Sequence, residues 1–144
     1  MYLLDTDTVS NYLRGHAQII DRVLNTPPEL VFVSGIAVEQ LIQGSLAAIN
    51  KERSRPSVGL TAAYKHLIDL VRELARFNLL PFDNAAEQVF RAFGPSKKRV
   101  GTQDCRIAAS ALESGYTVVT CNAKDFSQLG VAFEDWSRIE QPPA

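Results

Sequence analysis

Short apolar runs alternate with amphipathic stretches along the 144-residue chain. The stretches carry apolar residues at helical spacing, whereas the runs are too short for helices. Five runs predict buried strands, at residues 2–4, 30–33, 79–82, 116–120 and, more weakly, 131–133. Strands that alternate with helices predict an α/β fold, in which a mostly parallel central sheet is flanked by helices on both faces in three α/β/α layers. The length predicts a single domain covering residues 1–144.

The two longest predicted helices form a hairpin at about residues 35–77. Ser34 is expected to cap the first of them. The second resumes at about Val58, after a charged segment at 51–57 in which Pro56 favours a turn. Along this second helix a seam of apolar residues recurs at steps of four and three: Leu60, Tyr64, Leu67, Val71 and Leu74. Such a seam suits packing against another helix or another subunit, so the hairpin is predicted to bind a partner or a second copy.

The composition limits the class of protein. The chain is 46% hydrophobic and 22% charged, which excludes disordered, collagen-like and coiled-coil classes. A formal charge of -1 neither indicates nor excludes nucleic acid as a partner, because a local patch suffices to bind it. Cys105 and Cys121 form no Cys-x-x-Cys pattern, so neither a zinc site nor a disulfide framework is predicted. Asp5 interrupts the first apolar run and no run of ~20 apolar residues follows, which predicts a cytoplasmic protein without a membrane segment.

Three acidic side chains are predicted to meet at one rim of the sheet. Asp5 ends the first strand in the stretch LLDTDTV, Glu39 lies one turn into the helix after the second strand, and Asp104 opens a later helix. Sheets of this kind bind ligands outside the carboxyl ends of their strands. Carboxylates brought together raise one another's pKa values unless a cation shares the site. An oxygen-rich cluster without His or Cys suits Mg²⁺ or Mn²⁺ rather than zinc.

Each candidate also has a purely structural interpretation. Glu39 is expected at the margin of a buried stripe with Ile42 and Leu46, but it could equally be a surface acid. Asp104 could be an acid that the helix dipole favours in the first turn of a helix capped by Thr102.

Two further segments are open to two interpretations in the same way. Asn122 and Asp125 follow the strand at 116–120, where both are expected in a turn. Alternatively, Asn122 supplies a carbonyl oxygen to a metal ion or binds a metal-bound water. The basic turn at 97–99 is either a solvated turn or a set of phosphate contacts beside Asp104.

The opening stretch LLDTDTV resembles the first motif of haloacid-dehalogenase-type phosphatases, and VFVSG resembles their second. Those enzymes also need a Lys that balances a phosphoaspartate and a pair of acids after a later strand. Here the later strand leads into TCNAKD, with no Gly-Asp and no adjacent acids. The resemblance stops after two motifs, and a phosphatase with Asp5 as its nucleophile is the alternative that it leaves.

A second resemblance extends over nearly the whole chain. Four segments, in order and at the expected spacing, resemble the motifs of the PIN domain, specifically of VapC-type toxin ribonucleases. Each motif is weak alone, but four in order are specific, and LGVAFEDW also resembles the C-terminal strand and turn of these toxins. The four segments are YLLDTD with Asp5, VSGIAVEQLIQG with Glu39, GTQDCRIAASALESG with Asp104, and TVVTCNAKDF with Asn122.

This resemblance implies an Mg²⁺-dependent endoribonuclease, with Mn²⁺ able to substitute, that serves as the toxin of a toxin–antitoxin pair. Its implied partners are an RNA substrate, a VapB-like antitoxin and a second copy in a homodimer. The implied roles are metal binding by Asp5, Asp104 and Glu39, a catalytic part for these three and Asn122, auxiliary parts for Thr6, Asp7, Thr120 and Asp125, and RNA positioning by Lys97, Lys98 and Arg99.

The chain departs from the family pattern at two positions. Asp7 stands where Asn is more usual, which adds a negative charge or replaces an orienting side chain. Asn122 stands where Asp is often found, which bears on whether the site takes one metal ion or two. A PIN-like RNA-binding module with an incomplete site is therefore a further alternative.

Overall fold

The structure is a computed structural model that describes residues 1–54 and 58–139. Within these residues five strands form one sheet in the order β3-β2-β1-β4-β5, and all four neighbouring pairs are parallel. The predicted α/β fold with a largely parallel sheet is thereby confirmed. The strands are β1 (Tyr2–Leu4), β2 (Val31–Ser34), β3 (Asn78–Leu80), β4 (Thr117–Val119) and β5 (Phe133–Glu134).

Helices connect the strands. Some of them begin or end at signals that the sequence carries: the Ser34 hydroxyl accepts from the Ile36 N–H at 3.1 Å, and Gly115 ends a helix in the left-handed conformation at φ 72°. A 3-10 turn at Pro28–Leu30 leads into β2. The helices are α1 (Thr6–Leu13), α2 (Ala17–Leu24), α3 (Gly35–Arg53), α4 (Gly59–Leu74), α5 (Asn84–Ala92), α6 (Pro95–Lys98), α7 (Thr102–Ser114) and α8 (Ala123–Ser127).

Both faces of the sheet are covered, as a three-layer arrangement requires. Successive strand residues point to opposite faces, so Leu3 packs in one cluster with Phe90 of α5 and Ile107 of α7. Leu4 lies in a second cluster, which includes residues of α1 to α4 and the buried Trp136. The central strands β2, β1 and β4 are largely buried on both faces, and this accounts for their continuous apolar runs, whereas the edge strands β3 and β5 are more exposed.

Four local predictions are wrong. β3 ends at Leu80, because Pro81 has no N–H to donate to the ladder. Thr102 is the first residue of α7 and does not cap it, since Gly101 holds the cap position at φ 141°, a conformation in which side chains are strained. The basic residues at 97–99 form the end of a short helix, α6, and its C-cap instead of a turn. The last strand is Phe133–Glu134, later than the apolar run at 131–133.

The hairpin of α3 and α4 forms as predicted, although residues 55–57 of its expected turn, including Pro56, lie outside the described residues. Along the predicted seam Leu74 is buried, whereas Tyr64 and Val71 are exposed. Within residues 1–54 and 58–139 no helix is both long enough and apolar enough to cross a membrane.

Candidate metal centre

The candidate site lies where the direction of the sheet's connections reverses. From the central strand β1 the chain adds β2 and β3 on one side, and it then returns to place β4 on the other side of β1. Parallel sheets leave a crevice at such a point, outside the carboxyl ends of the two strands. Asp5 follows β1 and Thr120 follows β4, so both residues stand at this crevice. The Asp5 N–H donates to the Val119 carbonyl at 3.1 Å, a hydrogen bond that continues the pairing of β1 with β4 up to the crevice.

Asp5 is a buried carboxylate held by hydrogen bonds from two directions. It is 3% exposed, and its Oδ1 accepts from the Thr8 N–H at 2.9 Å as the N-cap of α1. Burial raises the pKa of the Asp5 carboxyl, while hydrogen bonds from the Thr120 side chain and the Thr8 backbone oppose that rise. The Thr120 hydroxyl oxygen accepts from the Asn122 N–H at 2.9 Å, so its proton is available for Asp5. Asp5 is therefore fixed in place before any ligand arrives.

Asp104, in the first turn of α7, faces the same crevice. The pKa of its carboxyl is raised to about 6, first by burial and then by the charges of Asp5, Asp7 and Asp125. Four carboxylates from three separate segments thus act on one another. Mutual repulsion of this kind marks a place where a cation would be stabilised.

The loop after β4 is organised by a bond between two candidate residues. Asn122 Nδ2 donates to Asp125 Oδ2 at 2.6 Å, and Asn122 itself precedes α8, which the sequence did not predict. Asp125 lies in the first turn of that helix. The bond uses one of the two amide hydrogens of Asn122 and holds the amide against Asp125.

Glu39 differs from its prediction in one respect. It is exposed, not at the margin of a buried stripe, and its carboxylate accepts from Gln43 Nε2 at 3.2 Å. Of the two residues used to place it, Ile42 packs against the core but Leu46 is 46% exposed, so the buried stripe does not extend along that face. Glu39 is not among the groups that shift the pKa of Asp104. Its neighbour Gln40 does reach the site's margin, where it accepts a hydrogen bond from the Thr6 hydroxyl.

The donor set fits a hard divalent cation in its chemistry. Carboxylates from Asp5, Asp7, Asp104 and Asp125 and one amide oxygen are ligands that Mg²⁺ and Mn²⁺ prefer. In the part of the chain that the structure describes, no three His, Cys, Asp or Glu side chains are already arranged as a metal-ligand set. Mg²⁺ does not require one, because it keeps several waters and takes one or two carboxylates directly.

A comparison with protein families matches the PIN domain to residues 2–132. The chain belongs to the PIN domain family. This match favours the second resemblance over the dehalogenase-type phosphatase.

Individual PIN proteins resemble the chain over nearly its full length. The tRNA(fMet)-specific endonuclease VapC of Salmonella typhimurium is 25% identical over 140 residues, which cover 94% of this chain and 97% of that protein. The structure of FitAcB from Neisseria gonorrhoeae superposes with a TM-score of 0.78 at 22% identity, covering 96% of this chain and 100% of that one. DNA-bound VapBC from Salmonella typhimurium superposes with a TM-score of 0.71 at 25% identity, covering 94% and 97%.

Thr8 is a residue of this PIN site that the sequence reasoning missed. Its N–H holds the Asp5 carboxylate, and its hydroxyl donates to the Val119 carbonyl at 2.9 Å, which ties α1 to the end of β4. The signal was present, because an Asp followed three residues later by a donor is a common start of a helix.

Proposed function

We propose that this chain is an Mg²⁺-dependent endoribonuclease that acts as the toxin of a toxin–antitoxin pair. The observation that carries the proposal is the convergence of Asp5 and Asp104 with two further carboxylates at the crevice of a PIN fold, and the raised pKa of Asp104 agrees with it. The similarity to a VapC endonuclease supports it, since it extends over 97% of that protein.

The position of each residue determines the role that we propose for it. Asp5 and Asp104 would hold the ion most directly, and Asn122 and Glu39 would act partly through water. When bound, Mg²⁺ lowers the pKa of a water that attacks the phosphate, and it neutralises charge on the phosphate oxygens. The Thr120 hydroxyl orients Asp5, and the bond between Asn122 and Asp125 orients the amide. Single-stranded or looped RNA is the expected substrate, because an A-form duplex hides its base edges in a deep, narrow groove.

The ends of the products test this mechanism. Attack by a metal-activated water should leave a 5′-phosphate and a 3′-hydroxyl. We therefore expect RNA fragments made by the purified protein to be degraded by an exonuclease that requires a 5′-phosphate. Fragments that resist it and carry a 2′,3′-cyclic phosphate would show attack by the RNA's own 2′-hydroxyl and would contradict the mechanism.

The hairpin offers a groove for the antitoxin. A cavity of about 710 Å³ lies against α3 and α4, with Leu13, Leu41, Ala48 and Ala62 among its apolar lining residues. The hydroxyl of Ser45 lines it too, buried and without a hydrogen-bond partner in the part of the chain described. An antitoxin segment with apolar side chains and one polar group for Ser45 would fit. The homodimer stays a prediction, with the exposed Tyr64, Ile68 and Val71 of α4 as its expected interface. Sedimentation equilibrium can check it.

Two neighbouring alanines of α3 provide a matched test of the groove. Both Ala47 and Ala48 are exposed, but only Ala48 lines the cavity. Expression of wild type should arrest growth, and co-expression of the adjacent antitoxin should relieve the arrest. We expect Ala48→Arg to stay toxic despite the antitoxin, because the long side chain fills the groove, whereas Ala47→Arg should still be neutralised. Equal neutralisation of both variants would place the antitoxin elsewhere.

A further inference from the structure

Two cations converge on one aromatic ring at the side of α7. The Lys98 Nζ lies 5.0 Å from the ring centroid of Phe90, and the Arg106 Cζ lies 4.9 Å from the same centroid. Phe90 belongs to α5 and is 9% exposed, so the ring is a fixed support for both side chains. Packing between α5 and α7 thereby brings together two like charges that lie eight positions apart in the sequence.

Neither cation has an anionic partner within residues 1–54 and 58–139. Arg106 Nη1 donates to Gln103 Oε1 at 2.7 Å, which is a neutral contact. Both side chains are half-buried, so solvent and salt screen their repulsion less than they would at an open surface. An anion that both side chains contact would relieve that repulsion.

Lys98 lies beside the start of α7, the helix whose first turn carries Asp104, and Arg106 lies one turn further along the same helix. The Gly101 N–H donates to the Lys98 carbonyl at 3.3 Å and the Cys105 thiol to the Lys97 carbonyl at 3.3 Å, so α6 folds back on the start of α7. Helical side chains lean toward the N-terminus, and the contact with Gln103 shows that Arg106 does so. No side chain caps that end of the helix at Gly101.

The other two basic residues are placed differently. Lys97 lies over Phe93, with its Nζ 5.4 Å from the ring centroid, and the same atom approaches Gly130. Arg99 is the exposed C-cap of α6. The basic run at 97–99 is therefore not one surface, and Lys98 is the member that shares its position with Arg106.

We infer that Lys98 and Arg106 form a subsite for a backbone phosphate of the RNA, outside the bond that is cleaved. The inference rests on the proposed function. The guanidinium of Arg106 offers the fork that binds a phosphate bidentately, and the ammonium of Lys98, held against the same ring, adds a second positive charge. The four carboxylates repel a polyanion. A strand must therefore be held by cations to one side of the metal centre, and phosphate contacts serve this positioning role.

The test is the salt dependence of RNA binding in the double variant Lys98→Met/Arg106→Met. Methionine keeps an unbranched side chain on Phe90 and removes only the charge. Binding is measured in an Asp5→Asn background with Ca²⁺, which leaves the RNA intact. We expect the slope of log affinity against log salt to become shallower by about 0.7 for one phosphate released from a single strand. Arg106→Lys with Lys98 kept should preserve the wild-type slope.

The matched control is Lys65→Met/Arg91→Met, which removes two charges from exposed side chains paired with Asp69 and Glu87. Its slope should equal that of the parent. If the slope for Lys98→Met/Arg106→Met also equals that of the parent, the subsite is overturned. That result holds even if the pair binds inorganic phosphate or an acidic protein, because neither would be a contact with the RNA. Lys98→Met alone, outside the buried core, decides the matter if the double variant unfolds. Absence of RNA cleavage by wild type would contradict the proposed function instead, and the slopes would still decide the subsite.

Discussion

Asp5→Asn and Asp104→Asn are each expected to abolish Mn²⁺ binding and leave the fold intact. Each removes one of the carboxylates that converge at the crevice. The loss of affinity should exceed the roughly 10–100-fold that follows the loss of a residue beyond the ligands themselves. The fold should survive, because Asn caps a helix about as well as Asp and can still accept from the Thr8 N–H. Without metal, both variants should be at least as stable as wild type, since each lacks a repelling charge.

Isothermal titration with Mn²⁺ and thermal unfolding of the metal-free proteins check both parts of this expectation. Glu113→Gln is the matched control, because Glu113 is an exposed acid on the same helix as Asp104, away from the crevice. It should bind Mn²⁺ as wild type does. If Asp104→Asn also bound Mn²⁺ with wild-type affinity, the metal centre would be assigned to the wrong residues.

Mn²⁺ affinity is expected to rise steeply with pH up to about 6 and to level off above it. Burial and the neighbouring carboxylates raise the pKa of Asp104 to about 6, so a proton occupies the ligand below that pH. A metal must displace this proton, and the apparent affinity should change by about tenfold per pH unit there. The same titration at about pH 5 and about pH 7 checks the trend. Any Mn²⁺ binding that remains in Asp104→Asn should depend less on pH than binding to wild type does. If Mn²⁺ affinity in that variant depended on pH as steeply as in wild type, the assignment of Asp104 as the titrating ligand would be contradicted.

The stability of the metal-free protein should follow the opposite trend. The folded Asp104 carboxyl has a pKa of about 6 against an ordinary value of 3.8, so the folded protein binds this proton more tightly than the unfolded chain does. Asp104 should therefore make the metal-free protein less stable as the pH rises from about 4 to about 6. Saturating Mn²⁺ should offset that loss, because the ion replaces the proton as the partner of the carboxylate.

The fold was predictable because its three central strands are largely buried on both faces and so appear as unbroken apolar runs between amphipathic helices. The end of the first run placed Asp5 at a carboxyl edge, and parallel pairing of β1 with β4 brought that edge to Thr120. The two-residue β5 is half exposed and the five-residue α8 follows a turn-like sequence, so both carry weak local signals. This is why β5 was shifted and α8 was missed.

The site was predictable only in outline, because periodicity shows which face a residue occupies and not what covers that face. Glu39 was placed at a buried margin because Leu46 fits an apolar stripe on α3. Leu46 is in fact exposed. The bond from Asn122 to Asp125 depends on a short helix whose start the sequence did not reveal. The convergence of Lys98 and Arg106 depends on the packing of α5 against α7 and has no signal within either segment.

Digestion of RNA by wild type and by Asp5→Asn tests the central claim most directly. Each protein is incubated with RNA in Mg²⁺, in excess EDTA, and in EDTA followed by an excess of Mg²⁺. Wild type should cleave in Mg²⁺, stop in EDTA and resume when Mg²⁺ is restored, whereas folded Asp5→Asn should cleave under none of these conditions. Cleavage that persists in EDTA, or near-wild-type cleavage by Asp5→Asn, would contradict a metal-dependent nuclease built on this residue. A folded wild type that binds RNA but never cleaves it would instead identify a PIN-like binding module.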